Sequence, residues 1–129
     1  MKILYVEDDA MNRKVMRALL AGVGMVPDEA VDGAEGLAMI EANSYGVVLM
    51  DIRMPRMDGL EAIAHIRARH DAKASVPIIA VTADAGVHMR AQCLAVGATD
   101  ILHKPVELQR LLALIAKQVA SETSDLILA

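Results

Sequence analysis

Acidic, hydroxyl and amino side chains stand where four short apolar runs of the sequence end. They are, in chain order, Glu7 and Asp8, Asp51, Thr82 and Lys104. Three carboxylates brought together would raise one another's pKa unless a cation lay among them. Carboxylates with water and a carbonyl group suit a hard cation, and Mg²⁺ tolerates an incomplete protein cage. These residue types therefore indicate a magnesium site.

A carboxylate beside Mg²⁺ can also act as a nucleophile toward phosphorus, which yields an aspartyl phosphate. The transferred phosphoryl group carries charge on three equatorial oxygens. One oxygen would face Mg²⁺, the Thr82 hydroxyl would donate to a second, and the Lys104 ammonium would supply charge to the third. Each residue alone has an ordinary structural explanation, but the set predicts phosphoryl transfer to Asp51.

The apolar runs that carry these residues show little alternation, which is typical of strands buried on both faces of a parallel sheet. The predicted strands are Ile3–Val6, Val26–Ala30, Val47–Met50, Pro77–Val81 and Ile101–Leu102. Helix-like segments lie between them, so the chain reads as β-α repeated five times, an α/β fold. Ligands of such sheets bind beyond the carboxyl ends of the strands. If the strands that carry them are neighbours, the five polar residues converge on that edge.

Cap residues and apolar spacing predict the helices. Asp9 caps the first, and Asp32 with Glu35 and Asp58 with Glu61 form capping pairs for the next two. The apolar side of the first helix, which stops at Gly24, comprises Val15, Met16, Leu19, Leu20 and Val23. A fourth helix runs from near Gly86 to Gly97, and the fifth has a 3.6-residue stripe of Leu108, Leu111, Leu112, Ile115 and Val119.

Composition limits the function classes. The chain has 129 residues, enough for one domain, and a net charge of −4 with 13 scattered Lys and Arg residues, which argues against a nucleic-acid partner. The single cysteine, Cys93, suits a reducing compartment. No apolar run is long enough to span a membrane, and the N-terminus has no signal-peptide pattern. We therefore expect a cytoplasmic protein without membrane insertion.

Four motifs, VEDD at 6–9, DIRMPRMDG at 51–59, VTA at 81–83 and KP at 104–105, resemble the receiver domain of two-component response regulators in order and spacing. The resemblance covers residues 1–120 and implies a (βα)5 flavodoxin-like, doubly wound sheet of order 2-1-3-4-5. Residues 121–129 would be a helix extension or the root of a linker.

The resemblance also implies a role for each site residue. Asp51 would be the phosphoacceptor, and the Mg²⁺ ligands would be Glu7, Asp8, Asp51 and the backbone carbonyl of Arg53. Thr82 and Lys104 would contact the phosphoryl group and couple modification to shape. The Lys104–Pro105 bond would be cis, as an X-Pro bond permits.

The implied partners are proteins. A histidine kinase or histidine phosphotransfer protein would donate the phosphoryl group and dock on the first helix around Asn12, Arg13, Met16 and Arg17. A downstream protein would bind the face formed by the fourth helix, fifth strand and fifth helix. The domain would assist its own phosphorylation and dephosphorylation without being a conventional enzyme. It would be either a single-domain regulator or the receiver of a hybrid histidine kinase.

Three positions bear on how such a domain would respond. Ile101 stands where receivers usually have the aromatic switch residue, and Val106 replaces a frequent aromatic after KP. Because the usual aromatic switch is missing, any conformational response to phosphorylation must proceed through the backbone or through repacking of aliphatic side chains. Arg53 and Asp84 occupy the positions that tune phosphoryl lifetime, and we predict that they pair over the site and slow hydrolysis. The alternative is two independent solvated side chains, with Asp84 capping a helix.

Two other functions use the same residues. A receiver-like binding module would work without phosphorylation, and the substitution by Ile101 keeps this alternative open. A phosphohydrolase with an aspartyl nucleophile would need a second acid two residues later, where this chain has Arg53. The clustered carboxylates favour the phosphoacceptor over both.

Overall fold

The computed structural model describes the backbone of residues 1–128 and the side chains of residues 1–119. Five parallel strands form one sheet: β1 (Ile3–Val6), β2 (Asp28–Ala30), β3 (Val47–Asp51), β4 (Ile78–Thr82) and β5 (Asp100–His103). The helices are α1 (Ala10–Ala21), α2 (Gly33–Ala42), α3 (Gly59–Arg67), α4 (Val87–Val96) and α5 (Leu108–Leu128), with a 3-10 helix at Ala72–Ser75. The strand order is β2-β1-β3-β4-β5, so the predicted doubly wound fold is confirmed.

Strand register brings the strand ends together. Val6 of β1 lies opposite Met50 of β3, so Glu7 and Asp51 follow at matching positions on neighbouring strands. Asp51 in turn lies opposite Val81 of β4, one residue before Thr82. The polar residues at the strand ends therefore share one edge of the sheet, as parallel pairing requires.

Apolar side chains fill both faces of the sheet, as the predicted two-sided strands require. One cluster contains Leu4, Val48 and Ile63, and the other contains Tyr5, Leu49 and Leu111. Every residue of β1, β3 and β4 is buried. Such a frame holds the strand ends rigidly, because closely packed interiors leave little room for displacement.

The predicted caps are present at three helices. Asp9 accepts the backbone N–H groups of Met11 and Asn12, Asp32 accepts that of Glu35 at 2.8 Å, and Asp58 accepts that of Glu61 at 2.9 Å. These aspartates satisfy amide groups that have no partner within the helix. Gly86 and Gly97 flank α4, and Gly97 adopts a left-handed φ of 111°.

Some sequence predictions were wrong in detail. β2 begins at Asp28 rather than Val26, which is 86% exposed, because β2 lies at the sheet edge and Pro27 has no N–H for the ladder. α1 ends at Ala21 with Gly22 as its C-cap rather than at Gly24, so Val23 follows the helix. Val15 and Val23 are 48% and 40% exposed, and the buried side of α1 consists of Met16 and Leu20. The predicted stripe of α5 is narrower as well, since Val119 is 40% exposed.

Helix α5 continues through residue 128 without a break at residue 120. The division into a domain at 1–120 and an extension at 121–129 stays a prediction, because residue 129 and the side chains from 120 onward lie outside the described residues. Within the described part of the chain, we find no helix with both the length and the apolar character that a membrane crossing needs.

Candidate functional site

Three carboxylates meet where β1 and β3 end. Ligand oxygens of Glu7, Asp8 and Asp51 all lie within 4.8 Å of one another. Glu7 and Asp51 are 1% and 3% exposed, whereas Asp8 faces solvent. The structure therefore brings together the three acidic side chains that the sequence suggested as cation ligands, and one of them opens the cluster to solvent.

Lys104 reaches these acids from the loop after β5. Its Nζ atom donates to Glu7 Oε1 and Asp51 Oδ1, both at 3.0 Å. The Lys104 backbone N–H donates to the carbonyl of Thr82 at 2.8 Å, and the Lys104–Pro105 bond is cis as expected. The ammonium offsets part of the charge of two buried carboxylates, which would otherwise be costly to desolvate.

The pKa values of the two buried acids, Glu7 and Asp51, shift in opposite directions. Burial, together with the carboxyl of Glu7, raises the pKa of Asp51 from 3.8 to about 7, against the opposing effect of Lys104. Burial acts in the same sense on Glu7, but the neighbouring Asp51 carboxyl and Lys104 ammonium hold the pKa of Glu7 below its ordinary value. Burial alone would lower the pKa of Lys104, yet contacts with both acids raise it. Without a further cation, Asp51 is the member of the pair that takes up a proton.

Glu7 presents an oxygen without a partner. Its Oε1 atom accepts from Lys104 and from the Tyr5 hydroxyl at 3.1 Å, whereas its buried Oε2 atom has no hydrogen-bond donor within the described residues. A buried carboxylate oxygen without a donor is destabilising. The set of oxygen donors with this free atom fits a hard divalent cation.

Thr82 is prepared to donate a hydrogen bond. Its side chain is buried at the end of β4, and its Oγ1 atom accepts the backbone N–H of Asp84 at 3.0 Å. Because that bond uses an oxygen lone pair, the hydroxyl hydrogen stays available to an incoming acceptor.

The two positions suggested for lifetime tuning do not contact each other in this structure. The Asp84 carboxylate accepts the N–H of Gly86, the N-cap residue of α4, at 2.7 Å. Arg53 is exposed, and no ion pair joins it to Asp84 among the side chains of residues 1–119. The alternative in which Asp84 caps a helix is wrong, because the N-cap residue of α4 is Gly86 and no side chain of the described residues caps this helix; the Asp84 carboxylate instead closes the turn before it.

The loop between β3 and α3 depends on Gly59. A Cβ atom at this position would lie 2.7 Å from the Cα of Ile52 and would also collide with the carbonyl oxygen of Asp51. The Gly59 N–H donates to the carbonyl of Ile52 at 2.9 Å, which closes the loop directly behind Asp51. The absence of a side chain therefore lets α3 start against the end of β3.

Sequence reasoning missed the contribution of Tyr5 to the site. In a strand, side chains two residues apart point to the same face. Tyr5 precedes Glu7 by two, so this spacing was a signal that the sequence already contained. The hydroxyl of Tyr5 lies on the Glu7 carboxylate as a consequence.

Sequence reasoning also assigned Arg13 to partner docking alone. Its Nη1 atom donates to the carbonyls of Glu7 and Asp8 at 2.8 and 3.0 Å, and its Nε lies 3.7 Å from Glu29. Arg17 forms a two-bond pair with the same Glu29, with both distances 2.7 Å. No local pattern predicts this contact, because Glu29 comes from β2.

A sequence model of the response regulator receiver domain matches residues 3–116 of this chain. The chain belongs to this family. The receiver domain is 40% identical over 113 residues to hybrid signal transduction histidine kinase G of Dictyostelium discoideum, covering 86% of this chain and 3% of that protein. It is 39% identical to response regulator MprA of Mycobacterium avium, covering 88% of this chain and 48% of that protein. The chain thus spans about half or less of these relatives.

Solved structures resemble the receiver domain throughout its fold. The receiver domain of sensor histidine kinase PA1611 of Pseudomonas aeruginosa, described with a magnesium ion coordinated in its active-site cleft, has a TM-score of 0.84 at 35% identity. The alignment covers 92% of this chain and 97% of that one. Chemotaxis protein CheY4 of Vibrio cholerae has a TM-score of 0.82 at 29% identity, covering 90% and 96% of the two chains.

Ile101 lies in the apolar core of this receiver domain. It is 2% exposed in β5, pairs with Ala80 of β4 and belongs to the same apolar cluster as Cys93 of α4. Cys93 is buried, and burial raises the pKa of its thiol. Any movement of Ile101 would therefore be transmitted through aliphatic contacts, since no hydroxyl is available at this position.

Proposed function

We propose that this receiver domain accepts a phosphoryl group on Asp51 from a phosphohistidine and signals through protein contacts. The observation that carries the proposal is the cluster of Glu7, Asp8 and Asp51 within 4.8 Å at the strand ends, bridged in part by Lys104. A domain used only as a scaffold gains nothing from two buried carboxylates that cost free energy to desolvate. The cluster therefore favours phosphorylation over the receiver-like module that works without it.

The cation proposed for the site is Mg²⁺, held by the carboxylates of Glu7, Asp8 and Asp51 and by the carbonyl of Arg53. Support comes from the partnerless Oε2 atom of Glu7 and from a donor set made only of oxygens. When bound, the ion would neutralise charge on the acids and on a phosphoryl oxygen. The relative from Pseudomonas aeruginosa holds magnesium in its own cleft.

The proposed step is a displacement at phosphorus. A carboxylate oxygen of ionised Asp51 forms the new O–P bond, and the P–N bond of the phosphohistidine breaks with its electron pair going to the imidazole. The Thr82 hydroxyl donates to one phosphoryl oxygen. Lys104 donates to both Glu7 and Asp51 before the transfer. During the transfer, its hydrogen bond to Asp51 is replaced by one to the phosphoryl group, and its hydrogen bond to Glu7 is kept.

Receiver domains pair with histidine kinases or histidine phosphotransfer proteins, and for this chain we propose docking on α1. Met11 and Val15 are 64% and 48% exposed there, beside the predicted docking residues Asn12, Arg13 and Arg17. Met16, which the sequence prediction also placed on this surface, is 1% exposed and belongs to the core. The proposed output face is formed by α4, β5 and α5, with Ile101 buried beneath it. The hybrid kinase and the response regulator, of which this chain spans 3% and 48%, are precedents for a domain of a larger cytoplasmic protein, whereas the solved chain of CheY4, matched over 96%, is a precedent for a stand-alone regulator.

The function is tested by incubation with acetyl phosphate and Mg²⁺, followed by intact mass spectrometry. We expect the parent to gain one phosphoryl group and Asp51→Asn to gain none. Glu41→Gln, which changes an exposed acid on α2, is the matched control and should behave as the parent. A parent that gains nothing, or a gain that persists in Asp51→Asn, would refute phosphorylation at this residue.

Phosphoryl lifetime tests the roles proposed for Arg53 and Asp84. We propose that their opposite charges pair over the phosphorylated site and hinder the attacking water. Arg53→Ala should then accelerate the loss of the phosphoryl group, followed by mass after removal of the donor. An unchanged decay rate in Arg53→Ala would contradict the pairing and leave Asp84 as part of the turn before α4.

A further inference from the structure

We propose that Tyr5 is a positioning residue that orients the Glu7 carboxylate for cation binding. The Tyr5 hydroxyl donates to Glu7 Oε1 at 3.1 Å, and both residues are 1% exposed. The inference rests on the proposed function, because it assigns Glu7 to the cation. It adds a residue that none of the sequence motifs includes.

The two oxygens of Glu7 are used differently. Lys104 and Tyr5 both donate to Oε1, whereas Oε2 is buried without a donor among the described residues. Two donors that approach one oxygen from β1 and from the loop after β5 restrict rotation of the carboxylate. The Oε2 atom is then held at the acid cluster, free to bind a cation. Hydrogen-bond partners behind a metal ligand commonly orient the ligand in this way.

The donor itself is fixed. The ring of Tyr5 lies in the apolar cluster with Met16, Leu49 and Leu111. A phenol is protonated at neutral pH, so the Tyr5 hydroxyl donates to the Glu7 carboxylate, which has no hydrogen of its own to donate. A rigid ring that carries a protonated hydroxyl is suited to set the orientation of its acceptor.

An ordinary explanation exists for the same contact. A buried tyrosine requires a hydrogen-bond partner, and Glu7 would supply one without any consequence for the cation. The two explanations differ in what Tyr5→Phe changes. The ordinary explanation predicts lower stability with unchanged affinity for Mg²⁺, whereas the positioning role predicts weaker binding of Mg²⁺.

Tyr45 offers a matched control. It is the only other tyrosine in the sequence, and its hydroxyl also donates to a carboxylate, Asp28 Oδ2, at 2.8 Å. Asp28 does not belong to the acid cluster. Tyr45→Phe therefore removes the same kind of hydrogen bond at a place that should not influence the cation.

The test is a Mg²⁺ titration of the parent and both variants by calorimetry and by the shift of Tm. We expect the dissociation constant to rise by roughly tenfold or more in Tyr5→Phe, the scale for loss of one partner behind a ligand, and to stay unchanged in Tyr45→Phe. Phosphorylation at saturating Mg²⁺ should recover most of its rate in Tyr5→Phe. Equal affinity in Tyr5→Phe and the parent, or tighter binding in Tyr5→Phe, would overturn the inference.

Fluorescence supplies a second measurement. The sequence contains no Trp or Phe, so the Tyr45→Phe protein has Tyr5 as its one native aromatic fluorophore. We expect Mg²⁺ to change its emission with the half-saturating concentration found by calorimetry, since the acceptor of its hydroxyl becomes engaged. Tyr5→Phe should show no such change. Constant Tyr5 emission during measurable binding would contradict the contact.

The outcomes separate this inference from the proposed function. If the parent binds no Mg²⁺ and accepts no phosphoryl group, the proposed function fails and the inference fails with it. If the parent does both and Tyr5→Phe does so with equal Mg²⁺ dependence, only the role of Tyr5 fails.

Discussion

Replacing Asp51 with Asn should stabilise the metal-free protein at pH 8. Asp51 is 3% exposed and lies against the carboxyl of Glu7, so its ionisation in the folded state is unfavourable. The amide has nearly the same shape but no charge to desolvate. The residue proposed to carry the chemistry is thus expected to lower stability, as strained functional groups often do.

The magnitude follows from the pKa. A rise from 3.8 to about 7 corresponds to about 4 kcal/mol of lost stability once both states are ionised. The variant also loses the charge-assisted bond from Lys104 to Asp51, and the pKa of Glu7 shifts in the opposite direction. We therefore expect a net gain of about 1–3 kcal/mol in Asp51→Asn.

The sign of the pH dependence is determined by the raised pKa. The stability that protonated Asp51 provides is fully present below its unfolded pKa of 3.8 and is lost as the pH rises to about 7. The gain in the free energy of unfolding of Asp51→Asn over the parent should therefore be largest above pH 7 and less than half as large at pH 5. Mg²⁺ should reduce this difference in stability, because it binds and stabilises the parent.

Urea denaturation in EDTA at pH 5 and pH 8, repeated at pH 8 with Mg²⁺, measures these differences. Glu41→Gln is the control, because it removes an exposed carboxylate and should change stability little at either pH. The reasoning is refuted if Asp51→Asn is no more stable than the parent at pH 8 in EDTA. A gain of equal size at both pH values would also refute it.

Three further predictions concern the supports of the site. Gly59→Ala should lower the free energy of unfolding by about 2 kcal/mol or more, since its Cβ would lie 2.7 Å from Ile52 Cα. Ile101→Ala should cost about 2–4 kcal/mol by leaving a cavity, while acetyl phosphate still modifies the folded variant. Arg13→Ala should raise the half-saturating Mg²⁺ concentration severalfold, because the carbonyls after β1 lose two hydrogen bonds. Urea denaturation, intact mass and calorimetry measure the three effects.

Each prediction has a contrasting outcome. Gly22→Ala, whose added Cβ meets nothing closer than 3.4 Å, is the control for Gly59→Ala, and equal stability of the two variants would contradict the collision. Loss of phosphorylation in folded Ile101→Ala would contradict the prediction and show that this residue is needed for the phosphoryl transfer. For Arg13, a change in stability with unchanged Mg²⁺ affinity would leave it a purely structural role.

The fold was predictable because its signals are local. Strands buried on both faces read as apolar runs, and the aspartates that begin three helices satisfy backbone amides a few residues away. The failures lie where neighbours distant in sequence decide. Val26 satisfies the local preference for a strand, but its position at an edge and the adjacent Pro27 exclude it from the ladder.

The sequence by itself determined which groups arrive at the site, since parallel pairing carries the residues at the carboxyl ends of β1, β3 and β4 to one edge. Only the tertiary structure decided how they are used. Lys104 bridges acids that lie 97 and 53 positions away, Arg13 donates to carbonyls beneath them, and Glu7 retains one free oxygen. Directional hydrogen bonds form between side chains only after the backbone has brought them within about 3 Å, so spacing along the chain does not specify them.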